Sequence, residues 1–245
     1  MITTKGLVLS RKKVAEGDVI INILTFAKGK IRVYVNGARY PKSRFASATQ
    51  PFTEGEFSLF TSSRDLARLS EVQVTHAHLD IRDDMNKIFL ATYMMELVDL
   101  AIEDGDFIPG LYDKVTYALS QLEDATDMLR FKVVYDLKLI DAFGYRPTLN
   151  SCSVCGSEKQ LMAVLSVEHG GVVCRDCLAE VERRYRFEPA DLNWINFVLK
   201  KPFKTIQTIA VNDTMLMKMS TWTNHFLETH VVRRPLKSYQ MLKML

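Results

Sequence analysis

Apolar and polar positions alternate with a period of two through residues 1 to 75, and the period then changes to that of a helix near residue 80. Ile31, Val33 and Val35 alternate with Arg32 and Tyr34, the pattern of a strand with one buried face. The same reading predicts strands over Lys5 to Ser10, Asp18 to Phe26, Lys30 to Gly37, Glu56 to Thr61 and Leu66 to Thr75. Ala27-Lys28-Gly29 and Ser62-Ser63-Arg64-Asp65 are the predicted hairpin turns. Five short strands in about seventy residues suit a small closed barrel; the OB-fold is the commonest of that size, and an SH3-like barrel is the alternative.

From Ile81 to Ile102 the apolar residues wrap most of the way round a helix, so this helix is predicted to be buried on several sides, with Asp80 as its cap. Further helices are predicted over Leu111 to Leu122 and Met128 to Phe143, the latter capped by Asp124 or Thr126 and ended by Gly144. After an interruption containing strand-like pieces at Leu161 to Val167 and Val172 to Cys174, helices resume at Ala190 to Lys200 and Asp213 to His230. In the last of these, Met215, Met219, Trp222 and Phe226 form one stripe that is read as core, and Leu242 and Leu245 of the tail are expected to pack on the helices. The organisation is thus α+β: a barrel over 1–79, then a helical domain over 80–245 interrupted at 148–182.

Composition changes this picture in one respect. The chain has 245 residues and a net charge of only +3, yet residues 1 to 75 hold twelve Lys and Arg against six Asp and Glu. A basic module attached to a mildly acidic one points to a polyanion partner for the first. On the third strand Arg32 and Tyr34 are expected to share an outer face with Lys30. Arg39-Tyr40-Pro41-Lys42-Ser43-Arg44-Phe45 then interleaves cations with rings and contains no acid, and Arg11-Lys12-Lys13 precedes the first turn. Cations neutralise phosphates while rings stack on bases, so nucleic acid is the favoured polyanion over a merely solvated basic face. The loop itself shows no core, and a ligand is expected to order it.

All four cysteines lie in Cys152-Ser-Val-Cys155 and Cys174-Arg-Asp-Cys177, with eighteen residues between the pairs. Each pair chelates from one tight turn, and two pairs complete a closed tetrahedral zinc shell. Disulfides or a redox-active pair are less well supported: the N-terminal apolar run is too short for a signal peptide, and no βαβ pattern flanks the cysteines. A closed shell leaves no position for a substrate, so the metal is expected to be structural. Thr75 to Asp80 places His76, His78 and Asp80 in alternation, which resembles the opening of a metallohydrolase ligand set but equally suits a polar strand end. Phosphate-binding, serine-hydrolase and zinc-protease motifs are absent from the sequence, and no apolar run reaches the length of a membrane span.

In this order, the basic barrel, the helices and the embedded cysteine segment resemble the RecO family of bacterial recombination mediators across nearly the whole chain. The resemblance is carried by Lys5-Gly6-Leu7-Val8-Leu9, Gly37 to Ser43, Pro51-Phe52, Phe143-Gly144-Tyr145-Arg146-Pro147 running into Cys152 to Gly156, and Arg234-Pro235-Leu236-Lys237-Ser238. It implies a non-enzymatic, cytoplasmic protein whose OB-fold binds single- and double-stranded DNA. Such a protein anneals strands coated with single-strand-binding protein, whose acidic C-terminal tail is a contact, and with RecR helps load RecA. It also implies one structural Zn2+. On this reading Arg11, Lys12, Lys13, Lys28, Lys30, Arg32, Arg39, Lys42 and Arg44 hold phosphates, while Tyr34, Tyr40 or Phe45 stacks bases. The rival readings are a scaffold for acidic protein tails and a metal-dependent nuclease using His76 and His78, a set outside the family's pattern.

Overall fold

The computed structural model describes residues 1–14, 16–61, 66–158, 164–206 and 211–242. The turn expected at Ser62 to Asp65, the first residues of the strand expected from Leu161, and Leu245 lie outside them. The chain divides into two compact units, Met1–Ala125 with Leu236–Leu245, and Thr126–Pro235. None of the described helices is long and apolar enough to cross a membrane.

In the first unit, β1 (Ile2–Lys13), β2 (Val19–Thr25), β3 (Gly29–Val35), β4 (Glu54–Phe60) and β5 (Ala67–His76) close into a barrel of order β1-β2-β3-β5-β4. This is the OB-type barrel that the strand pattern anticipated. The inward positions of the alternation, among them Val19, Ile21, Ile23, Val33, Val35, Phe57 and Leu59, make one apolar core. All pairings are antiparallel except β3 with β5, which run parallel and join through Val33 opposite Ala67 and Tyr34 opposite Arg68. A bulge in β1 shifts the register between Val8 and Ser10. Because one extra residue reverses every later side chain, Ser10 and Lys12 join the outward row of Asn22 and Ile20.

The segment between β3 and β4 differs from expectation. It is a run of turns with a core of its own, in which Ala38, Ala48, Thr49, Phe52 and Thr53 are buried. Thr49 Oγ1 donates to Phe45 O at 2.8 Å, and Phe52 N and Val8 N exchange bonds with Val8 O and Thr53 O at 3.0 and 2.9 Å. No ligand is needed to order it, because its small apolar residues, too irregularly spaced to stand out in the sequence, cover the end of the barrel.

Two helical pieces follow the barrel. They are α1 (Leu79–Arg82) and α2 (Met85–Ala101), and α2 starts at Asp84, whose side chain accepts from Asn86 N and Lys87 N at 2.8 and 3.2 Å. Asp80, the expected cap, instead lies in the first turn of α1. As the wrapped apolar pattern required, Leu90, Ala91, Tyr93, Met94, Met95, Leu97 and Val98 of α2 are all buried. Asp99 on α2 accepts from Ser10 Oγ at 2.8 Å and Asn22 Nδ2 at 2.9 Å, and pairs with Lys30 Nζ at 3.3 Å. One carboxylate therefore holds β1, β2 and β3 together. Just beyond, Gly29 (φ +66°) has no room for a side chain, since a Cβ there would stand 1.8 Å from Asp106 O. Helix α3 (Leu111–Glu123) completes this part of the unit.

The second unit holds α4 (Met128–Ala142), the small sheet β6 (Val164–Ser166), β7 (Gly171–Val173) and β8 (Arg184–Tyr185), then α5 (Pro189–Lys200), α6 (Phe203–Ile206) and α7 (Asp213–His230). Helix α4 is capped by Asp127, whose side chain accepts from Arg130 N at 2.9 Å, rather than by Asp124 or Thr126. Its Lys132 and Asp136, four residues apart and both buried, pair at 2.7 Å. Thr223 of α7 donates to Asp136 at 2.6 Å, and Lys132 donates to Ser220 O at 3.0 Å. Burial pulls the Lys132 ammonium below its ordinary pKa, against the opposing pull of Asp136. Met215, Met219, Trp222 and Phe226 are buried, as expected of a core stripe. A short helix α8 (Tyr239–Leu242) belongs to the first unit, where Glu96 accepts from Ser238 N at 2.8 Å.

Truncating Asp99 takes the nearest countercharge from a buried ammonium, leaving it the residue-99 carbonyl and Asp104 at 4.0 Å, whereas removing Lys30 leaves the carboxylate with its Ser10 and Asn22 donors. Asp99→Ala is therefore expected to cost about 3 kcal/mol and Lys30→Met no more than about 1 kcal/mol, as read from urea unfolding midpoints.

Candidate nucleic-acid interface and metal centre

The barrel sorts the sequence-predicted cations into two groups by what they touch. Towards the β2–β3 hairpin, Lys30 is only 7% exposed and donates to Asp99 O at 2.6 Å as well as pairing with the Asp99 carboxylate. It was expected on an outer face beside Arg32 and Tyr34, but α2 and the segment after it cover that part of the strand. Burial and pairing turn the Lys30 ammonium inward, away from the outer face on which it was expected. Arg32 is exposed and pairs with Asp104 at 3.3 Å. Lys28 is exposed in the hairpin turn, six residues from Tyr34 along the chain and so about 20 Å away along extended strand.

At the opposite end the picture reverses. Lys12, Ile20, Tyr34 and Arg68 are successive cross-strand neighbours on β1, β2, β3 and β5, so they form one outward row. Among the described residues, Lys12, Lys13, Lys42, Arg44 and Arg68 make no ion pair. Arg44 lies over the Phe45 ring at 4.6 Å and donates to Ser70 O at 3.1 Å. Phe45 is half-buried against the barrel core, whereas Tyr40 is 55% exposed. Arg11 is partly buried and donates to Ala38 O at 3.2 Å; burial and then repulsion from Arg39 pull its guanidinium below the ordinary value. Asp18 accepts from Gly37 N at 2.8 Å and from the Tyr34 hydroxyl. Those bonds hold the Asp18 carboxyl down and push the Tyr34 hydroxyl up. Tyr34 is thereby fixed with its ring in the basic row.

Arg68 was missed from the sequence, where it is one cation in a predicted strand with nothing to mark its neighbours. Only the parallel closure of β3 on β5 sets it beside Tyr34. The surface so assembled, cations with rings at one end of an OB-type barrel, combines charge neutralisation with stacking platforms.

The four cysteines converge in the second unit. Their sulfurs lie within 4.8 Å of one another, and Cys155 Sγ and Cys174 Sγ are 3.8 Å apart. A tetrahedron with metal–sulfur bonds of about 2.3 Å has edges of about 3.8 Å, so the donor set fits one metal ion. Each pair sits on a tight turn, with Gly156 N donating to Cys152 O at 2.8 Å and Cys177 N to Cys174 O at 3.2 Å. Gly156 takes φ +71°, a conformation that a residue lacking Cβ reaches without strain. Burial pushes the Cys152 thiol up, but the N–H groups of Cys174, Cys155 and Val154 and the Cys155 thiol outweigh it and hold Cys152 at about 6. The Cys174 contact, burial and the other two sulfurs push Cys177 up to about 12. Among the described residues, the apolar cluster around this site holds Val164, Val173 and Val181 with Leu178 packed against it.

His76 and His78 do come together, but with different company from that predicted. Asp80 turns away on α1 and is exposed; Glu123 at the end of α3 takes its place, within 4.8 Å of both rings.

Two family profiles match the chain: Recombination protein O N terminal over residues 1–78, and Recombination protein O C terminal over residues 82–240. Among curated relatives, a protein named DNA repair protein RecO from Lactobacillus delbrueckii subsp. bulgaricus is 31% identical over 75% of this chain and 73% of its own. A second of that name from Exiguobacterium sibiricum is 35% identical over 70% and 68%. A third from Alkaliphilus metalliredigens is 26% identical over 99% of both.

The cysteine cluster yields a direct prediction. Elemental analysis is expected to find one ion per chain at the thiols, and Cys174→Ser to lose it. Loss of even about 3 kcal/mol would lower Tm by roughly 6–12 °C in a chain of this size.

Proposed function

The chain belongs to the RecO family, and from that premise we propose that it serves recombinational DNA repair as a binding and annealing mediator, not as an enzyme. In this reading the barrel domain, 1–79, holds single- and double-stranded DNA. The helical domain, 80–245, carries the metal segment 148–182. The observation that carries the proposal is the set of unpaired cations around the Lys12–Tyr34–Arg68 row, against the acid-paired Lys30 and Arg32 at the hairpin end. A cation already matched to a carboxylate gains little from a phosphate; an unmatched one releases counterions from the nucleic acid when it binds.

The proposed DNA contacts are therefore Lys12, Lys13, Lys42, Arg44 and Arg68; Arg39 is added for its exposed place in the same loop, with Arg11 at the rim and Tyr34, Tyr40 or Phe45 beneath the bases. Lys28 and Arg32 are assigned a minor, long-range part, and Lys30 none. Annealing needs no covalent step. Two strands repel through their phosphates, so neutralising both backbones while leaving base edges free lowers the barrier to pairing. The substrates in this proposal are strands coated with single-strand-binding protein, whose acidic C-terminal tail is drawn to the same unpaired cations. RecR is the proposed partner in loading RecA, and the bacterial cytoplasm, at the nucleoid, the place of action. The metal at Cys152, Cys155, Cys174 and Cys177 is proposed to be Zn2+, which in a closed thiolate shell supplies a cross-link and no reactive position.

A scaffold for acidic tails is the second reading, since unpaired cations also attract carboxylates. Binding to an acidic peptide with none to a bare oligonucleotide would favour it.

Fluorescence anisotropy across a salt series tests the DNA reading. Arg39→Glu/Lys42→Glu/Arg44→Glu is expected to weaken binding equally for all sequences and to flatten the log–log salt slope on single strands by about two units. Lys28→Glu is expected to leave the slope within about half a unit. Equal slopes for the wild type and the triple variant would remove the assignment.

A further inference from the structure

The DNA surface leaves unused the cluster at the far end of β5. Glu123 Oε1 at the end of α3 is 2.8 Å from His76 Nε2 and 2.7 Å from His78 Nδ1, and the two rings stack 4.0 Å apart at 18°. The other nitrogen of His78, Nε2, is 2.8 Å from Oε1 of Glu54, the first residue of β4. Tyr112 in turn hydrogen-bonds to Glu54. His78 is fully buried and sits at φ +47°, ψ +54°, in the left-handed region that few residues other than glycine occupy, histidine being one of the commoner exceptions. His76 is half exposed.

The chemistry of this arrangement is specific. Glu54 and Glu123 flank the two ring nitrogens of His78, one carboxylate on each side at 2.8 and 2.7 Å. Carboxylate support of the remote ring nitrogen is the arrangement that orients histidine ligands in metal sites. His78 Nδ1, His76 Nε2 and Glu123 Oε1 lie within 4.8 Å of one another, and a positive charge, proton or cation, is needed among them. Two imidazoles and a carboxylate are the donor set of a borderline divalent ion, and His76 keeps one side of the set half exposed.

We propose that His76, His78 and Glu123 form a second metal site, for a divalent ion of the Zn2+ class, with Glu54 and Tyr112 as its outer support. The ion would tie the end of β5 to the end of α3 within the first unit.

Zn2+ is titrated into the whole protein, with the thiol site left as purified, and bound ions are counted by native mass spectrometry at micromolar free metal. The wild type is expected to bind one more ion than His76→Ala or Glu123→Gln, whatever the thiol site contributes. Excess Zn2+ is also expected to raise the Tm of the wild type and not of His76→Ala. His76 is exposed enough for its variant to fold, which circular dichroism checks. Equal ion counts in wild type and both variants would overturn the proposal, and would leave protons as the positive charge shared within the cluster.

Discussion

A sheet with one apolar face and two free edges invites pairing with other chains, and here both edges are removed when β3 meets β5. That parallel contact is short, yet the rest of the first unit depends on it. Closure encloses Val33, Val35, Phe57 and Leu59 in a single core. It also brings Arg68 beside Tyr34 and so completes a row of outward side chains across four strands. The bulge in β1 is the second half of this device. Without the residue it inserts, Lys12 would face the core side and Arg11 would occupy the row.

Closure explains where the cations are; their pairing explains which of them are available. Asp99 and Asp104, on and after α2, take up Lys30 and Arg32, so charge at the hairpin end is spent inside the protein. At the other end the turns over residues 36–53 present Tyr40, Lys42 and Arg44 on a packed base of Ala38, Ala48 and Phe52. A fixed base reduces the ordering entropy that a floppy basic loop would lose on binding. The cysteine segment is built differently, from two tight turns that bring four sulfurs within 4.8 Å of one another as a donor set for one metal ion.

Much of this was legible in the sequence because the signals were periodic or local. Alternation marked the five strands, wrapped apolar positions marked α2 as buried, the Met215-to-Phe226 stripe marked the core of α7, and two close pairs marked the cysteine site. What stayed hidden needed contacts between residues distant in sequence. Lys30 looks like an outer-face residue until Asp99, sixty-nine positions away, covers it. Arg68 acquires its meaning only from strand order, and Glu123 only from where α3 ends. The helix caps failed for a narrower reason: acids or hydroxyls stand at 80, 83 and 84, and again at 124, 126 and 127, and local sequence does not choose between neighbours of similar chemistry.

The central claim is that nucleic acid lies across the Lys12–Tyr34–Arg68 end of the barrel. The exposed rings offer a direct reading of it, because Phe26 and Phe107 are both 52% exposed near the hairpin, while Tyr34, Tyr40 and Phe45 belong to the other end. Ultraviolet cross-linking of a single-stranded oligonucleotide, followed by mass spectrometric mapping, reports which rings stack on bases. Adducts at Tyr34, Tyr40 or Phe45 are the result this account predicts; adducts confined to Phe26 or Phe107 would contradict it.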